Sequence, residues 1–173
     1  MNKYIPKVYN KSILDIDYKK LKENNIKCLM IDLDNTLLEV HKSIPKKEIS
    51  YLIKKLKKDF KIIIISNNTS KKRLSIAAKE LDIDYVKFAL KPFAKGFRKV
   101  KKKYGFKKEE MCIIGDQIMT DVMGGNRYGI YTILTDPLSE EELKVTGINR
   151  FFENKVLKKL AKKNLFRRGE YYG

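Results

Sequence analysis

The chain alternates short apolar runs with longer stretches in which apolar residues recur at helical spacing. The apolar runs cover residues 26–31, 61–65, 85–89, 111–114 and 131–134. Runs of this length, bounded by polar or turn residues, are typical of strands buried in a sheet. Because strands that alternate with single helices over long connections are not joined as hairpins, the pattern predicts an α/β fold with a parallel sheet.

The stretches between the runs predict the helices of this fold. They cover about 46–58, 71–80, 93–104 and 119–127, and a basic helix follows at about 154–164. Right-handed crossovers place such helices on both faces of a parallel sheet. Every apolar run is far shorter than the ~20 residues that a membrane-spanning helix needs.

The length of the chain fits one domain, so residues 1–173 are predicted to form a single unit. Residues 1–25 show no clean period, and we interpret them as a lead-in that packs on the domain, with a short helix near 19–24. Residues 150–173 are predicted to form the basic C-terminal helix and a polar tail. We find no internal repeat and no linker.

Polar side chains follow the predicted strands at the point where each strand ends. They are Asp32 and Asp34, then Ser66 and Asn67, then Lys91, and finally Asp116 with Asp121. Because the carboxyl ends of parallel strands meet at one edge, we expect these side chains to lie together. Clustered carboxylates repel one another unless a cation lies among them, and oxygen ligands of this kind suit Mg²⁺.

Such a cluster suits phosphoryl transfer. One carboxylate can attack phosphorus and form an aspartyl-phosphate, while the other, two residues on, can protonate the leaving oxygen and later activate water. A hydroxyl and free backbone N–H groups at Ser66 can hold a phosphate oxygen, although Ser66 can equally cap a helix. Lys91 supplies a fixed positive charge against the nucleophile and the transferring group.

Four segments, in this order, resemble the motifs of the haloacid dehalogenase (HAD) superfamily of phosphatases. They are Ile31-Asp32-Leu33-Asp34-Asn35-Thr36-Leu37, Ile65-Ser66-Asn67-Asn68, Lys91-Pro92, and Ile114-Gly115-Asp116 with Asp121. The resemblance implies a three-layer α/β/α sandwich with a central parallel Rossmannoid sheet. It also implies a phosphoric monoester hydrolase that works through an aspartyl-phosphate with Mg²⁺ as cofactor.

The same resemblance implies a role for each site residue. Asp32 is the nucleophile and Asp34 the general acid and base. Phosphate binding falls to Ser66, Asn67 and Lys91, and Lys91 also steadies the nucleophile. Asp116 ligates Mg²⁺ together with Asp32 and the carbonyl of Asp34, and Asp121 joins the metal site directly or through another ligand.

The spacing of the motifs leaves no room for a cap domain. The interval from Asp34 to Lys61 holds a loop and one helix, and that from Ser66 to Lys91 holds one helix and one strand. We therefore expect an open site, which suits a phosphate presented on something large. The net charge is +18, with 39 basic and 21 acidic residues, and it favours a polyanionic setting such as a membrane or nucleic acid. A lysine-biased genome is the alternative origin of this charge.

Within the superfamily the chain most resembles the YqeG-like branch of subfamily IIIA, which is related to phosphatidylglycerophosphate phosphatases. The matching stretches are residues 12–17, 32–37, 91–92, 115–122 and 148–150. This resemblance implies that the chain converts phosphatidylglycerophosphate to phosphatidylglycerol at the cytoplasmic membrane face. The alternatives are a phosphatase for a nucleic-acid 3′-phosphate or a soluble ester, and, in another class, a non-catalytic basic RNA-binding module.

The expected location is cytoplasmic, with peripheral contact to the membrane. The N-terminus has no apolar signal core, and the two cysteines lie in apolar segments, where we expect buried reduced thiols. The candidate membrane contacts are Tyr4, Ile5, Tyr9 and the C-terminal helix with Arg167 and Arg168. Each basic side chain near an anionic leaflet contributes about 1 kcal/mol. Core packing and solvated faces are the alternative interpretation of both ends.

Overall fold

The computed structural model describes residues 1–67, 70–139 and 146–173, without the side chains of Lys71 and of residues 146–150. Six strands form one sheet in the order β1-β6-β5-β2-β3-β4, and all neighbours are parallel. The strands are β1 Val8–Asn10, β2 Cys28–Ile31, β3 Lys61–Ile65, β4 Asp84–Val86, β5 Met111–Gly115 and β6 Tyr131–Thr135. The predicted parallel α/β sheet is confirmed.

Six α-helices accompany the sheet in the described ranges. They are α1 Tyr18–Glu23, α2 Lys47–Leu56, α3 Lys71–Leu81, α4 Lys95–Tyr104, α5 Met123–Tyr128 and α6 Thr146–Lys162. Short 3₁₀ turns lie at Asn2–Tyr4, Ile13–Asp15 and Lys108–Glu110, and a π-helical turn lies at Ile118–Val122. None of these helices has both the length and the apolar character needed to cross a bilayer.

The helices lie in two layers, one on each face of the sheet. On one face, apolar residues of α2 and α3 pack with alternate strand residues such as Leu29, Ile62 and Ile114. On the other face, α4 and α5 pack against strand residues of the opposite phase, such as Met30 and Ile113. The pleat of the strands sends successive side chains to opposite layers, which explains why these runs are apolar throughout.

The strand β1 lies inside the segment predicted to be an irregular lead-in. It pairs with β6, with Val8 opposite Ile133. On its other side, Tyr9 exchanges backbone hydrogen bonds of 2.8 and 2.9 Å with Tyr172 of the C-terminal tail. A strand of three residues is too short to show a period, so only its partners, which lie far away in the sequence, identify it.

Three element boundaries differ from the prediction. The strand predicted over 85–89 ends at Val86, because Phe88 and Leu90 adopt left-handed backbone with φ of +51° and +55°. The helix predicted over 119–127 begins as a π-helical turn before α5. The last helix, α6, begins at Thr146 rather than near Asn154.

Candidate active site

The two central strands place the first two carboxylates. The strands β2 and β5 are neighbours, and their pairing ends with Ile31 of β2 opposite Ile114 of β5. The N–H of Asp32 donates to the carbonyl of Ile114 at 2.9 Å. Asp32 and Asp116 therefore follow neighbouring strands at the same edge of the sheet. Both side chains are buried. The strand-end pattern in the sequence predicted this juxtaposition.

Lys91 joins this edge from the loop between β4 and α4. Its ammonium group contacts a carboxylate oxygen of Asp32 and lies 2.6 Å from Oδ1 of Asp121. The Lys91 side chain is 2% exposed. The other oxygen of Asp121 accepts from the backbone N–H of Gln117 at 3.2 Å and from the hydroxyl of Thr120 at 3.3 Å. These bonds to the π-helical turn hold the Asp121 carboxylate close to the ends of the central strands.

Gly115 makes room for this arrangement. A Cβ atom at this position would overlap the Asp121 carboxylate. Only a glycine at this last position of β5, next to Asp116, therefore lets the carboxylate of Asp121 approach the strand ends.

Asp32, Asp116 and Asp121 form a buried acidic cluster. One carboxylate oxygen from each lies within 4.8 Å of the others. Burial raises the pKa of Asp32 well above its usual range, and the neighbouring carboxylates raise it further, while Lys91 opposes them. Burial acts against the charge of Lys91, but Asp121 and Asp32 outweigh it and raise the pKa of the ammonium group.

The charge balance of the cluster fits a divalent cation. One ammonium group offsets only part of three carboxylates, and buried like charges are costly unless further positive charge lies among them. The donors in the cluster are carboxylate oxygens, which suit a hard cation such as Mg²⁺. The residues present therefore fit the metal site that the sequence predicted.

Asp34 belongs to a separate ion pair that the sequence did not predict. Its carboxylate accepts from Nη1 of Arg73 on α3. The same guanidinium donates to the carbonyl of Glu39 at 2.9 Å and to that of Lys42. Arg73 therefore ties Asp34 and the loop that follows it to α3. No sequence signal marked Arg73 among the other basic residues of its helix, because it follows no strand directly.

Asn35 shapes the turn that carries Asp34. Its φ is +59°, a left-handed conformation that asparagine tolerates better than most residues. Its N–H donates to the carbonyl of Leu38 at 2.7 Å, and its side-chain oxygen accepts from the hydroxyl of Ser139 at 2.9 Å. The turn is thereby joined to the segment that follows β6.

Ser66 and Asn67 directly follow β3, and Asn67 contacts the backbone of Lys91. Ser66 is buried, and Asn68 of the same motif lies outside the described residues. The Asn67 amide donates to the Lys91 carbonyl at 2.8 Å, and its oxygen accepts the Lys91 N–H at 2.7 Å. This pair of bonds braces the backbone that carries the buried ammonium group. Phosphate binding by Ser66 and Asn67 stays a prediction.

Two of the residues suggested as membrane contacts have structural roles. Tyr9 is fully buried. Arg168 donates to the Asp116 carbonyl and to the Glu153 carboxylate, each at 2.8 Å, and so connects the tail to the site. For Tyr9 the suggestion of membrane contact was wrong, because Tyr9 lies in the third core, which it forms with residues such as Leu160 and Phe166 from the other end of the chain. The Arg168 side chain is 24% exposed, so its membrane contact stays a prediction. The cysteines are free and buried as predicted, and burial raises the pKa of Cys28 to about 12.

Comparisons with known proteins identify the family and the fold of the chain. Residues 1–139 match the family described as mitochondrial PGP phosphatase. The chain is 35% identical to the probable phosphatase YqeG of Bacillus subtilis, over 92% of this chain and 93% of that protein. It is 30% identical to phosphatidylglycerophosphate phosphatase 1, chloroplastic/mitochondrial, of Arabidopsis thaliana, over 93% of this chain and 49% of that protein, so it spans about half of that relative.

A solved structure shows the same fold at low identity. It is the cobalt-bound form of the deoxy-D-mannose-octulosonate 8-phosphate phosphatase from Haemophilus influenzae. The TM-score is 0.52 at 19% identity, over 84% of this chain and 95% of that chain. The predicted HAD-like fold is thereby confirmed.

Proposed function

Because this chain belongs to the PGP phosphatase family and is a HAD-type phosphatase, we propose that it hydrolyses phosphatidylglycerophosphate to phosphatidylglycerol at a membrane surface. The observation that carries the chemistry is the buried contact of Lys91 with Asp32 and Asp121 beside Asp116. The lipid substrate is supported by the relatives, by the basic surface and by the short intervals between the motifs.

Asp32 is the nucleophile of the proposed reaction. Its carboxylate oxygen attacks the terminal phosphorus, the bond from phosphorus to the glycerol oxygen breaks, and an aspartyl-phosphate forms. Lys91 faces the nucleophile and offsets charge that develops on the transferring group. After β3, the hydroxyl of Ser66 and the backbone at Asn67 are proposed to hold the phosphate oxygens, while the Asn67 side chain braces Lys91.

Asp34 is the general acid and base of the two half-reactions. It gives its proton to the leaving glycerol oxygen, which completes release of the alcohol. It then takes a proton from the water that attacks the aspartyl-phosphate, so inorganic phosphate leaves and Asp32 is regenerated. Arg73 holds the Asp34 carboxylate and the following loop in position for both steps.

The metal site is proposed to be formed by Asp32, Asp116 and Asp121, with the carbonyl of Asp34 as a further ligand. When bound there, Mg²⁺ would supply positive charge that offsets the negative charge of the carboxylates and of a substrate phosphate oxygen. The π-helical turn and Gly115 support this assignment, because they bring Asp121 to the strand ends.

An open site supports a bulky substrate. Between Asp34 and β3 the chain forms a loop and α2, and its described residues between Ser66 and Lys91 form α3 and β4. Among their described residues, neither interval contains a domain that would cover the strand ends. A phosphate on a lipid surface can therefore reach Asp32 without a cap having to open.

The test compares three substrates with purified protein and Mg²⁺. They are phosphatidylglycerophosphate in anionic vesicles, a 3′-phosphorylated oligonucleotide and a small soluble phosphate ester. We expect the highest kcat/KM for the lipid and no turnover by the Asp32→Asn variant. Clearing the oligonucleotide while leaving the lipid intact would overturn the proposed substrate. The family membership argues against the non-catalytic RNA-binding alternative. That alternative predicts that Asp32→Asn leaves the biological function of the chain intact.

A further inference from the structure

The loop between β4 and α4 presents three large apolar side chains to solvent. Phe88, Leu90 and Phe93, here called the apolar rim, are 43%, 47% and 69% exposed. Between them, Ala89 and Lys91 are buried, and Lys91 contacts the proposed nucleophile. One short loop thus carries an active-site cation on its inner side and an apolar surface on its outer side.

The loop is held firmly by the rest of the molecule. The Ala89 N–H donates to the carbonyl of Ser66 at 3.0 Å. A Cβ at Gly96 of α4 would lie 2.9 Å from the Cβ of Ala89, and one at Gly124 of α5 would lie 3.0 Å from the Cα of Pro92. Both helices therefore pack closely on the loop backbone. The apolar rim is a defined surface and not a loose segment.

The backbone at two rim positions is unfavourable for the residues that occupy it. Phe88 and Leu90 have φ of +51° and +55°, where glycine or asparagine fits at lower cost. An exposed apolar side chain gains little from burial that would offset this cost. Folding alone therefore does not account for phenylalanine and leucine here, whereas a partner that covers them does.

The surroundings of the apolar rim are strongly basic. From Lys87 to Lys103 the chain has eight basic residues and no acidic one. All of them except Lys91 are exposed. The helix α4 buries Gly96, Phe97 and Val100 against the sheet and leaves its lysines and arginine toward solvent. The rim is therefore continuous with a positively charged helix surface.

We propose that the apolar rim inserts into the interfacial layer of an anionic bilayer while the basic side chains of α4 contact the headgroups. The identity of the lipid substrate in this inference rests on the proposed function. Apolar side chains flanked by lysines suit the boundary between headgroups and acyl chains. An apolar protein surface would cover the rim but leave the positive charge of α4 without a counterpart, whereas an anionic leaflet supplies an apolar layer and a uniform negative charge together.

Insertion of the apolar rim would also set the depth of the active site relative to the lipid headgroups. Lys91 lies between Leu90 and Phe93 in sequence, and the loop is rigid. Insertion of the rim therefore holds the proposed nucleophile at the level of the phosphate headgroups. The substrate phosphate then reaches Asp32 without the lipid leaving the bilayer.

The test measures binding of the full chain to vesicles of phosphatidylglycerol and phosphatidylcholine in equal parts. The rim variant combines Phe88→Asn, Leu90→Asn and Phe93→Ser, with asparagine chosen because it tolerates the left-handed backbone. We expect its vesicle affinity to fall about a hundredfold, with hydrolysis of a small soluble ester unchanged. The control Tyr51→Ser removes an aromatic side chain that is 74% exposed on α2, and we expect it to bind normally.

A second variant tests the charge. Lys95→Gln, Arg98→Gln and Lys99→Gln on α4 are expected to weaken binding to the anionic vesicles by about fivefold per residue. The matched control, Lys47→Gln, Lys54→Gln and Lys55→Gln, removes the same charge from α2 on the opposite face of the sheet. We expect that control to have a smaller effect, and we expect added salt to remove the difference between the two.

The outcomes separate this inference from the proposed function. Wild-type affinity of the rim variant for vesicles would overturn the docking surface even if the lipid is hydrolysed. Absence of vesicle binding by the wild-type chain would also overturn it and assign the rim to a protein partner. Rim-dependent binding without lipid hydrolysis would support the docking surface and contradict the proposed substrate.

Discussion

The two aspartates of the first motif lie two residues apart but in different electrostatic surroundings. Asp32 is buried among Asp116, Asp121 and Lys91, whose ammonium group is itself almost fully buried. Asp34 instead pairs with Arg73, and the side chains of this outer pair are 13% and 11% exposed. The inner group is held by strand ends, whereas the outer pair joins a loop to a helix.

In the proposed reaction, this difference separates two tasks. The inner cluster concentrates charge where bonds to phosphorus form and break, and it needs rigid elements to keep like charges close. The outer pair places a carboxylate where a leaving group and water enter, and it depends on the loop being held to α3. Substitutions in the two regions should therefore differ in size and in kind.

The largest effect is expected at the nucleophile. Asp32→Asn keeps the shape of the side chain but removes the attacking oxygen, so kcat should fall by roughly 10⁴-fold or more, with no covalent phosphoenzyme. Asp34→Asn should still form the phosphoenzyme from an ester with a good leaving group and then hydrolyse it slowly. Mass spectrometry of the quenched protein measures both. Phosphoenzyme in the Asp32→Asn protein would contradict the assignment.

Lys91→Met should have the next largest effect. Loss of the fixed charge should lower kcat about 10³-fold. In the absence of Mg²⁺ the free energy of unfolding should fall by about 3 kcal/mol, because two buried carboxylates lose their cation. Denaturant unfolding in chelator measures this change, with Lys54→Met on the exposed face of α2 as control. Equal stability of the two variants would show that the inner cluster does not depend on Lys91.

Arg73→Ala should act more weakly and in a way that depends on the leaving group. Asp34 would lose its ion pair with Arg73 and would no longer be held in position as the general acid. The kcat for an alkyl phosphate should therefore fall about tenfold. A nitrophenyl phosphate, whose leaving group needs no proton, should be affected much less. Arg73→Lys keeps the charge without the forked geometry, so its kcat for the alkyl phosphate should lie between that of the wild-type protein and that of Arg73→Ala. An equal loss on both esters would argue that Arg73 serves the inner cluster instead.

The smallest effect is expected at Asn67. Asn67→Ala removes both hydrogen bonds to the Lys91 backbone and should lower the free energy of unfolding by about 1–2 kcal/mol. Because we expect bracing to be its main role, KM should change little. Thermal unfolding and steady-state kinetics measure the two quantities, with Asn67→Asp as the variant that keeps the acceptor. A large rise in KM with normal stability would favour direct phosphate binding.

The sequence predicted the inner cluster well and the outer pair poorly, and the reason is physical. Asp32, Ser66 and Asp116 each directly follow a strand, so strand phase brings them to one edge of the sheet. Lys91 follows a predicted apolar run but reaches this edge from the loop after β4. Arg73 follows no strand directly, and its approach to Asp34 depends on how α3 packs, which no local pattern records. The strand β1 was missed for the same reason, because its three residues are recognisable as a strand only from their pairing with β6 and the tail.

The pairing of β1 also has a consequence for the order in which the chain folds. Both neighbours of Tyr9 in the sheet, β6 and the backbone of Tyr172, emerge from the ribosome after most of the chain has been made. Until then β1 has no strand to join, and the edge of β6 is open once it forms. The central strands β2, β3 and β5 precede both partners in the sequence and can assemble earlier, so this edge closes only after Tyr172 has been made.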